Sequence, residues 1–320
     1  MYCQNKDTMR KVTKEPKFNS LLEVAQYFST EERCLEHLKA MRWKDGVYCP
    51  HCGERKIYTF SDNKRYKCAV CRKQFTAKVG SIFDNTKISL QKWFIAIYLI
   101  SSHKKGISSL QLSKDLNVTQ TTAWFILHRL RHASNTKAFN APLKNTVEAD
   151  ETYIGGKEKN KHTSKRTKDT QGRSTKTKTP VLAVVERSGY IKAEKAIDVD
   201  GKTIGRFIAN NVVLGSKLMT DEFKIYNSVK WLYDHNFVKH GNGEYVINDC
   251  HTNTVEGFFS LLKRGIVGIY HFVSAKHLNN YLKEFTFRYN TKDFTEQDRF
   301  NLLIQNCDGK RLRYSELISN

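Results

Sequence analysis

Apolar residues recur with two different periods along this chain, and the change of period divides it into elements. Leu90 to Ile100 is nearly continuous in apolar residues and predicts one buried helix. Ile107–Leu116 and Gln120–Leu130 follow with helical spacing, separated by Asn117-Val-Thr119, so helix, turn and helix are expected. Leu110, Leu116, Val118, Trp124 and Leu127 would form their small shared core. Beyond Asn145 the period shortens. Thr146 to Ile154 reads as a strand ended by Gly155-Gly156, and Pro180 to Ile197 reads as a hairpin turning at Ser188-Gly189. A helix is expected over Gly201–Asn211 and a short strand over Lys217–Thr220. A further helix opens at Glu256, with Phe258, Phe259, Leu261 and Leu262 facing inward and Lys263 on the same face as Glu256, because two turns advance about 7.2 residues. The Ser274–Tyr289 segment carries Leu278, Tyr281, Leu282, Phe285 and Tyr289 on one stripe, which predicts a helix covering the sheet.

One segment fits neither period. Lys157 to Thr179 holds nine Lys/Arg, two acids and no apolar residue, so it cannot bury a core. A flexible loop is expected there, or one that orders only against a polyanion. The whole chain shares this bias: 54 Lys+Arg stand against 32 Asp+Glu, a formal charge of +22. Such an excess favours nucleic acid through counterion release without specifying a sequence. A ribosome-associated or merely basic protein would show the same balance. With 320 residues the chain has room for two or three domains. No apolar run approaches the roughly 20 residues of a membrane span; Ile95–Ile100 is short and lies between Lys92 and His103. The Asn- and Lys-rich start lacks a signal-peptide core, so a soluble protein without a membrane partner is expected in the cytoplasm.

Cysteine spacing adds a site. Cys49-Pro-His-Cys52 and Cys68-Ala-Val-Cys71 present two thiolate pairs with 15 residues between them, the spacing of a structural Zn2+ ribbon. His51 is a weaker competitor as a ligand, and Cys3, Cys34, Cys250 and Cys307 are too scattered to suggest a disulfide framework. Basic residues stud the ribbon, which suits phosphate contact. In the helix-turn-helix, Gln120, Thr121, Thr122, His128 and Arg131 are the candidates for phosphates or base edges; in the basic loop they are Lys165, Arg166 and Lys168.

Three acids stand in segments suited to a metal site: Asp150 in Glu148-Ala-Asp-Glu151, Asp221 in Thr220-Asp-Glu-Phe223, and Glu256 in Asn253-Thr-Val-Glu256. Asp150 and Asp221 end or interrupt β-prone runs, and Glu256 with Lys263 shares a helix face. Converging carboxylates of this kind suit divalent cations and in-line phosphoryl chemistry. Strand alternation places Glu148 on the face of Asp150 and Glu151 on the opposite face.

The strings Asp150-Glu-Thr-Tyr-Ile-Gly-Gly156, Thr220-Asp-Glu-Phe223 and Asn253-Thr-Val-Glu-Gly-Phe-Phe-Ser-Leu-Leu-Lys-Arg-Gly-Ile-Val-Gly-Ile-Tyr-His271 resemble the zinc-ribbon insertion-sequence transposases of bacteria, DDE enzymes related to the Merlin elements. The resemblance extends from about residue 20 to about residue 292. It implies an α/β fold: an RNase H-like core, a mixed sheet with flanking helices, preceded by a zinc ribbon and a helix-turn-helix, as the β-β-β-α-β-α order requires. The expected division is an N-terminal helical segment (1–40), the ribbon (41–80), the helix-turn-helix region (85–135), the DDE domain (145–292) with its basic insertion (157–179), and a C-terminal tail (293–320). The resemblance carries over Asp150, Asp221 and Glu256 as the acidic triad and Lys263 as the basic residue following it. Since some subgroups have Asn or His in the third place, Asn253 and His251 are the rivals of Glu256, the better hard-cation ligand. Mg2+, or Mn2+ in its place, is the expected catalytic ion, and the partners are double-stranded DNA at the element's ends and target, held by a homo-oligomer near the nucleoid of a bacterial host. Two-step phosphoryl transfer without a covalent enzyme intermediate follows. The alternatives are a DNA-binding regulator carrying a dead nuclease fold, which should have lost an acid, and a structure-selective nuclease, which would need no sequence-reading module.

Overall fold

The computed structural model describes residues 18–156, 158–168, 170, 174–238 and 250–319. Residues 1–17 of the expected N-terminal segment, and Lys157, Asp169 and residues 171–173 of the basic loop, lie outside them. The chain begins with α1 (Leu21–Tyr27) and α2 (Glu31–Arg42), capped by Ser20 and Thr30, whose hydroxyls accept from the amides of Glu23 and Arg33. Next come β1 (Ile57–Thr59), β2 (Arg65–Cys68) and β3 (Gln74–Thr76), an antiparallel sheet in that order. So small a sheet has little interior. Trp43, Tyr66 and Phe75 pack ring against ring beneath it and join it to the core of the helices that follow.

Those helices are α3 (Leu90–Ser102), α4 (Ser109–Leu116) and α5 (Gln120–Ala133). The predicted turn between α4 and α5 is present, and Asn117 closes α4 in the left-handed conformation at φ 47°. Two expected core positions differ: Leu110 is 54% exposed, with Leu112 on the opposite side of the same helix buried in its place, and Trp124 is half-buried outside that core, against His277 and Tyr314.

The second half is a five-stranded sheet built from β4 (Thr146–Ile154), β5 (Thr179–Glu186), β6 (Ile191–Lys195), β7 (Lys217–Asp221) and β8 (Asp234–Val238). Their spatial order is β6-β5-β4-β7-β8; the first three form an antiparallel meander, and β7 and β8 add parallel to β4. This is the RNase H-like arrangement. The helix α6 (Gly201–Asn211) covers one face, where Ile204, Phe207 and Ile208 meet Val147, Ala149, Val184 and Leu218. On the other face α7 (Asn253–Gly265) and α8 (Leu278–Asn290) bring Phe258, Leu262, Leu282 and Phe285 against Val181, Ala183 and Val185. A π-helical turn, Ile266–Tyr270, prolongs α7. The sequence reading missed β8, an edge strand whose Asp234-His-Asn-Phe-Val238 lacks a β-type apolar alternation.

The expected C-terminal tail is not a tail. Residues Glu296–Gln305 form α9, and its Phe300, Leu303 and Ile304 are buried with Phe18, Phe28 and Phe94 in the N-terminal core. The short α10 (Tyr314–Ile318) ends the described chain. Ribbon, helix-turn-helix and C-terminal helix therefore share one interior. Among the described residues, no helix is long and apolar enough to cross a membrane.

Candidate active site

Backbone register decides which side chains can meet. Because β4 and β7 run parallel with Glu148 opposite Met219, continuing the register by two residues sets Asp150 beside Asp221. Val147 and Ala149 face α6, so Glu148 and Asp150 face α7. Carboxylate oxygens of Asp150, Asp221 and Glu151 lie within 4.8 Å of one another. Alternation does put Glu151 on the α6 face, where the buried Tyr226 hydroxyl donates to its Oε2 at 2.8 Å. Its carboxylate nevertheless reaches the edge of the Asp150–Asp221 pair, which the sequence reading did not anticipate.

Like charges this close oppose one another. The Asp150 carboxyl is pushed up to about 8, first by burial and then by the charges of Glu151 and Asp221. The Glu151 amide, donating to Asp150 Oδ1 at 2.8 Å, works the other way, and Glu256 adds a smaller upward push. Burial and the same acids raise the Tyr226 phenol far above its ordinary range, so it stays a neutral donor. A divalent cation would relieve this crowding. Oxygens on opposite sides of an octahedral Mg2+ stand about 4.2 Å apart, so the cluster needs only side-chain adjustment to share one.

Glu256 comes from the first turn of α7, exposed, with its Oε1 accepting from the Thr252 hydroxyl at 2.7 Å. It acts electrostatically on Asp150 but lies outside the tight cluster of Asp150, Glu151 and Asp221. Lys263 is also exposed on α7, while Phe258, Phe259 and Leu262 are buried, as the helical spacing predicts. Of the rivals for the third position, Asn253 is exposed and His251 stands 3.2 Å from Glu148. Glu148 itself is wholly buried and receives Arg187 Nε at 2.8 Å and the amides of Thr254 and Val255 at 2.8 and 3.1 Å.

At the ribbon, the sulfurs of Cys49, Cys52, Cys68 and Cys71 all lie within 4.8 Å of one another. The Cys49–Cys71 and Cys52–Cys68 separations are each 3.6 Å. A tetrahedral Zn2+ with bonds of about 2.3 Å requires sulfurs about 3.8 Å apart, so the donor set fits. Backbone amides of His51 and Cys71 point at Cys49 Sγ and Cys68 Sγ, both at 3.4 Å, which supports thiolate charge.

The predicted DNA-contacting residues divide. Gln120 and Thr121 are exposed at the start of α5, and Thr122 is partly so. His128 and Arg131 are not available: they are 0% and 1% exposed. Arg131 Nε donates to Glu284 at 2.6 Å with its guanidinium 3.8 Å from the Tyr281 ring centre, and His128 packs between Trp124 and His277. The helical phase places both residues toward α8 rather than toward solvent. In the basic loop Lys165, Arg166 and Lys168 are all exposed, although Arg166 also donates to the carbonyls of Lys159 and Lys161.

Comparison with known proteins adds relatives to this geometry. Residues 142–290 match the ISXO2-like transposase domain, and residues 29–74 match the transposase zinc-ribbon domain. An uncharacterized protein in transposable element ISH50 of Halobacterium salinarum is 29% identical over 276 residues, covering 82% of this chain and 91% of that one. Among solved structures, the Mos1 strand transfer complex is similar over 63% of this chain and 74% of that one, with 13% identity and a TM-score of 0.28. A pre-cleavage Mos1 transpososome is similar over 64% and 75%, with 15% identity and a TM-score of 0.24.

Proposed function

Since this chain belongs to the insertion-sequence transposases that carry a zinc ribbon ahead of a DDE domain, we propose that it binds the terminal inverted repeats of its own element, cuts DNA to free 3′ ends and joins those ends to target DNA. One observation carries the reading: Asp150 and Asp221 meet on adjacent parallel strands beneath the helix that bears Glu256 and Lys263. All the acids that the chemistry needs are retained, which speaks against a regulator with a dead nuclease fold.

A bound Mg2+, or Mn2+, would supply an activated water and offset the charge developing on the scissile phosphate. Asp150 and Asp221 would hold it from the sheet, with Glu256 closing from α7 and Glu151 adding negative charge behind Asp150. Lys263, two turns along the same helix, would hold a DNA phosphate in register. Attack by water breaks the P–O bond to the 3′ oxygen, which departs as a hydroxyl. That hydroxyl then attacks a target phosphodiester, forming a new P–O bond while the bond to the target's own 3′ oxygen breaks and that oxygen leaves as a hydroxyl; no enzyme side chain becomes covalently bound. Zinc belongs to the ribbon and supports folding. Gln120, Thr121 and Thr122, at the exposed end of α5, would read the element's ends, while Lys165, Arg166 and Lys168 would hold backbone phosphates. Two ends must be brought together, so a homo-oligomer working on the nucleoid is expected.

The test uses the full chain with a duplex carrying the terminal repeat of its own element, in Mg2+ and in Mn2+. Specific nicking at the 3′ end followed by joining to a plasmid supports transposition. Cleavage that depends on DNA shape and ignores the repeat would indicate the structure-selective nuclease, and binding with no cleavage in either metal would indicate the regulator.

A further inference from the structure

Thr252 precedes α7 and is of the residue type that ordinarily accepts a hydrogen bond from an amide of the first turn. It makes no such cap; its Oγ1 donates instead to Glu256 Oε1 at 2.7 Å. The amides it leaves are taken by Glu148 of β4, whose Oε2 accepts from Thr254 N at 2.8 Å and Val255 N at 3.1 Å. Glu148 Oε1 accepts from Thr254 Oγ1 at 2.9 Å and from Arg187 Nε at 2.8 Å, and His251 Nδ1 lies 3.2 Å away. The same Arg187 donates through Nη2 to the His251 carbonyl at 3.1 Å, and its amide bonds the Thr146 carbonyl at 3.0 Å. A carboxylate removed from water is costly unless its lone pairs are filled, and these contacts fill both oxygens.

We propose that Glu148 and Thr252 are a pair of positioning residues for the third acid of the site. Glu148 fastens the first turn of α7 to the strand bearing Asp150, two residues along on the same sheet face. The cap it provides releases the Thr252 hydroxyl to aim Glu256. With both oxygens occupied, Glu148 serves as a support and not as an ion ligand. The inference rests on the proposed DDE reading, because without that reading Glu256 has no site to complete. Such supports matter because ligand groups must be held to within about 0.5 Å, and removing one typically weakens metal binding by about 10- to 100-fold.

The test measures Mn2+ binding to the full-length protein by titration calorimetry without DNA, in wild type, Glu148→Gln, Thr252→Val and Glu256→Gln. Zinc content and the thermal midpoint in a weak chelator of Mn2+ report folding. Glu148→Gln should keep its zinc and its end-DNA binding, yet bind Mn2+ about 10- to 100-fold more weakly and need correspondingly more Mn2+ for 3′-end cleavage. Thr252→Val leaves the Glu148 cap in place and should shift Mn2+ affinity in the same direction by less. If Glu148→Gln does not fold, Thr252→Val decides alone, and wild-type Mn2+ affinity in it overturns the proposal. Unchanged affinity in Glu256→Gln overturns it as well, since there would be no third acid to position. If the wild-type chain binds Mn2+ but never cleaves its element's ends, the transposition reading fails, and the comparison of Mn2+ affinities still decides this one.

Discussion

At Asp221 charge and shape can be separated. Asparagine keeps the size and can still accept the Phe223 amide, which donates to Asp221 Oδ1 at 3.0 Å, so the end of β7 should hold its form. What is lost is the negative charge next to Asp150. Asp221→Asn should therefore bind the element's ends normally while 3′-end cleavage and strand transfer in Mg2+ fall by at least about 100-fold, as expected for loss of a metal-site ligand. Gel-shift and cleavage assays on one preparation check this, and near wild-type cleavage would reduce Asp221 to a strand-end cap. Both Asp150 and Asp221 were legible in the sequence because each stands at a β-prone run whose alternation fixes its face. Glu148 was placed on the correct face, but its work was not visible: its partners Thr254 and Val255 lie 106 and 107 residues further on. Glu151 was hidden for another reason. Alternation gives the direction of a side chain, and says nothing of how far a long carboxylate reaches around a strand end or of the Tyr226 hydroxyl that fixes it.

The elements of the helix-turn-helix followed the apolar period closely, yet the partner of α5 did not. Amphipathicity shows that one face of α5 is buried; it does not show that Glu284 of α8 lies under that face and claims Arg131. Glu284 is wholly buried and also receives Arg288 at 2.5 Å and the Tyr270 hydroxyl at 2.5 Å, so one carboxylate ties the helix-turn-helix to the five-stranded sheet's covering helix and to the π-helical turn. Burial alone would raise the Glu284 carboxyl, but Arg288 and Arg131 outweigh it and hold it down at about 2. A carboxylate depressed in the folded state contributes stability that is fully present above its unfolded value near 4.5 and is lost as pH falls toward 2. The contribution is on the order of 3 kcal/mol. Urea unfolding of the full chain at pH 5, 4 and 3 should show stability falling across that window, and Glu284→Gln should flatten the fall. The variant should also be less stable at pH 7, by about 3–5 kcal/mol, because two buried guanidinium groups lose their counter-charge. Parallel pH profiles for the two proteins would mean that other carboxylates cause the acid loss.

Over the whole molecule, the order of strands and helices was readable from local patterns, but the way the halves close was not. Phe300, Leu303 and Ile304 sit on an ordinary amphipathic stretch of α9, and nothing local announces that they complete a core begun near residue 18. The ribbon belongs to that same core through Trp43, Tyr66 and Phe75. Cys68→Ser should therefore release about one zinc per chain and loosen α2 and α9 along with the ribbon, while the five-stranded sheet keeps its hydrogen-exchange protection. Zinc retained at full content would sink the ribbon assignment. The basic insertion between β4 and β5 poses the opposite problem, because its charge is plain in the sequence and its partner is not. It leaves the sheet directly after the strand bearing Asp150, and Lys165 and Lys168 are exposed along it. Nine Lys/Arg without one apolar residue can hold a DNA backbone but cannot read bases by shape. Each phosphate neutralised steepens the dependence of log affinity on log salt by about 0.9. Replacing residues 157–178, which stop short of β5, with a neutral Gly/Ser linker of equal length should flatten that dependence for target DNA and weaken capture most at low salt. Preference for the terminal repeat, which the proposed function assigns to the exposed end of α5 and to the ribbon, should persist. Strand-transfer assays across a salt series measure both effects, and an unchanged slope in the linker variant would leave the loop as a solvated insertion that the fold merely tolerates.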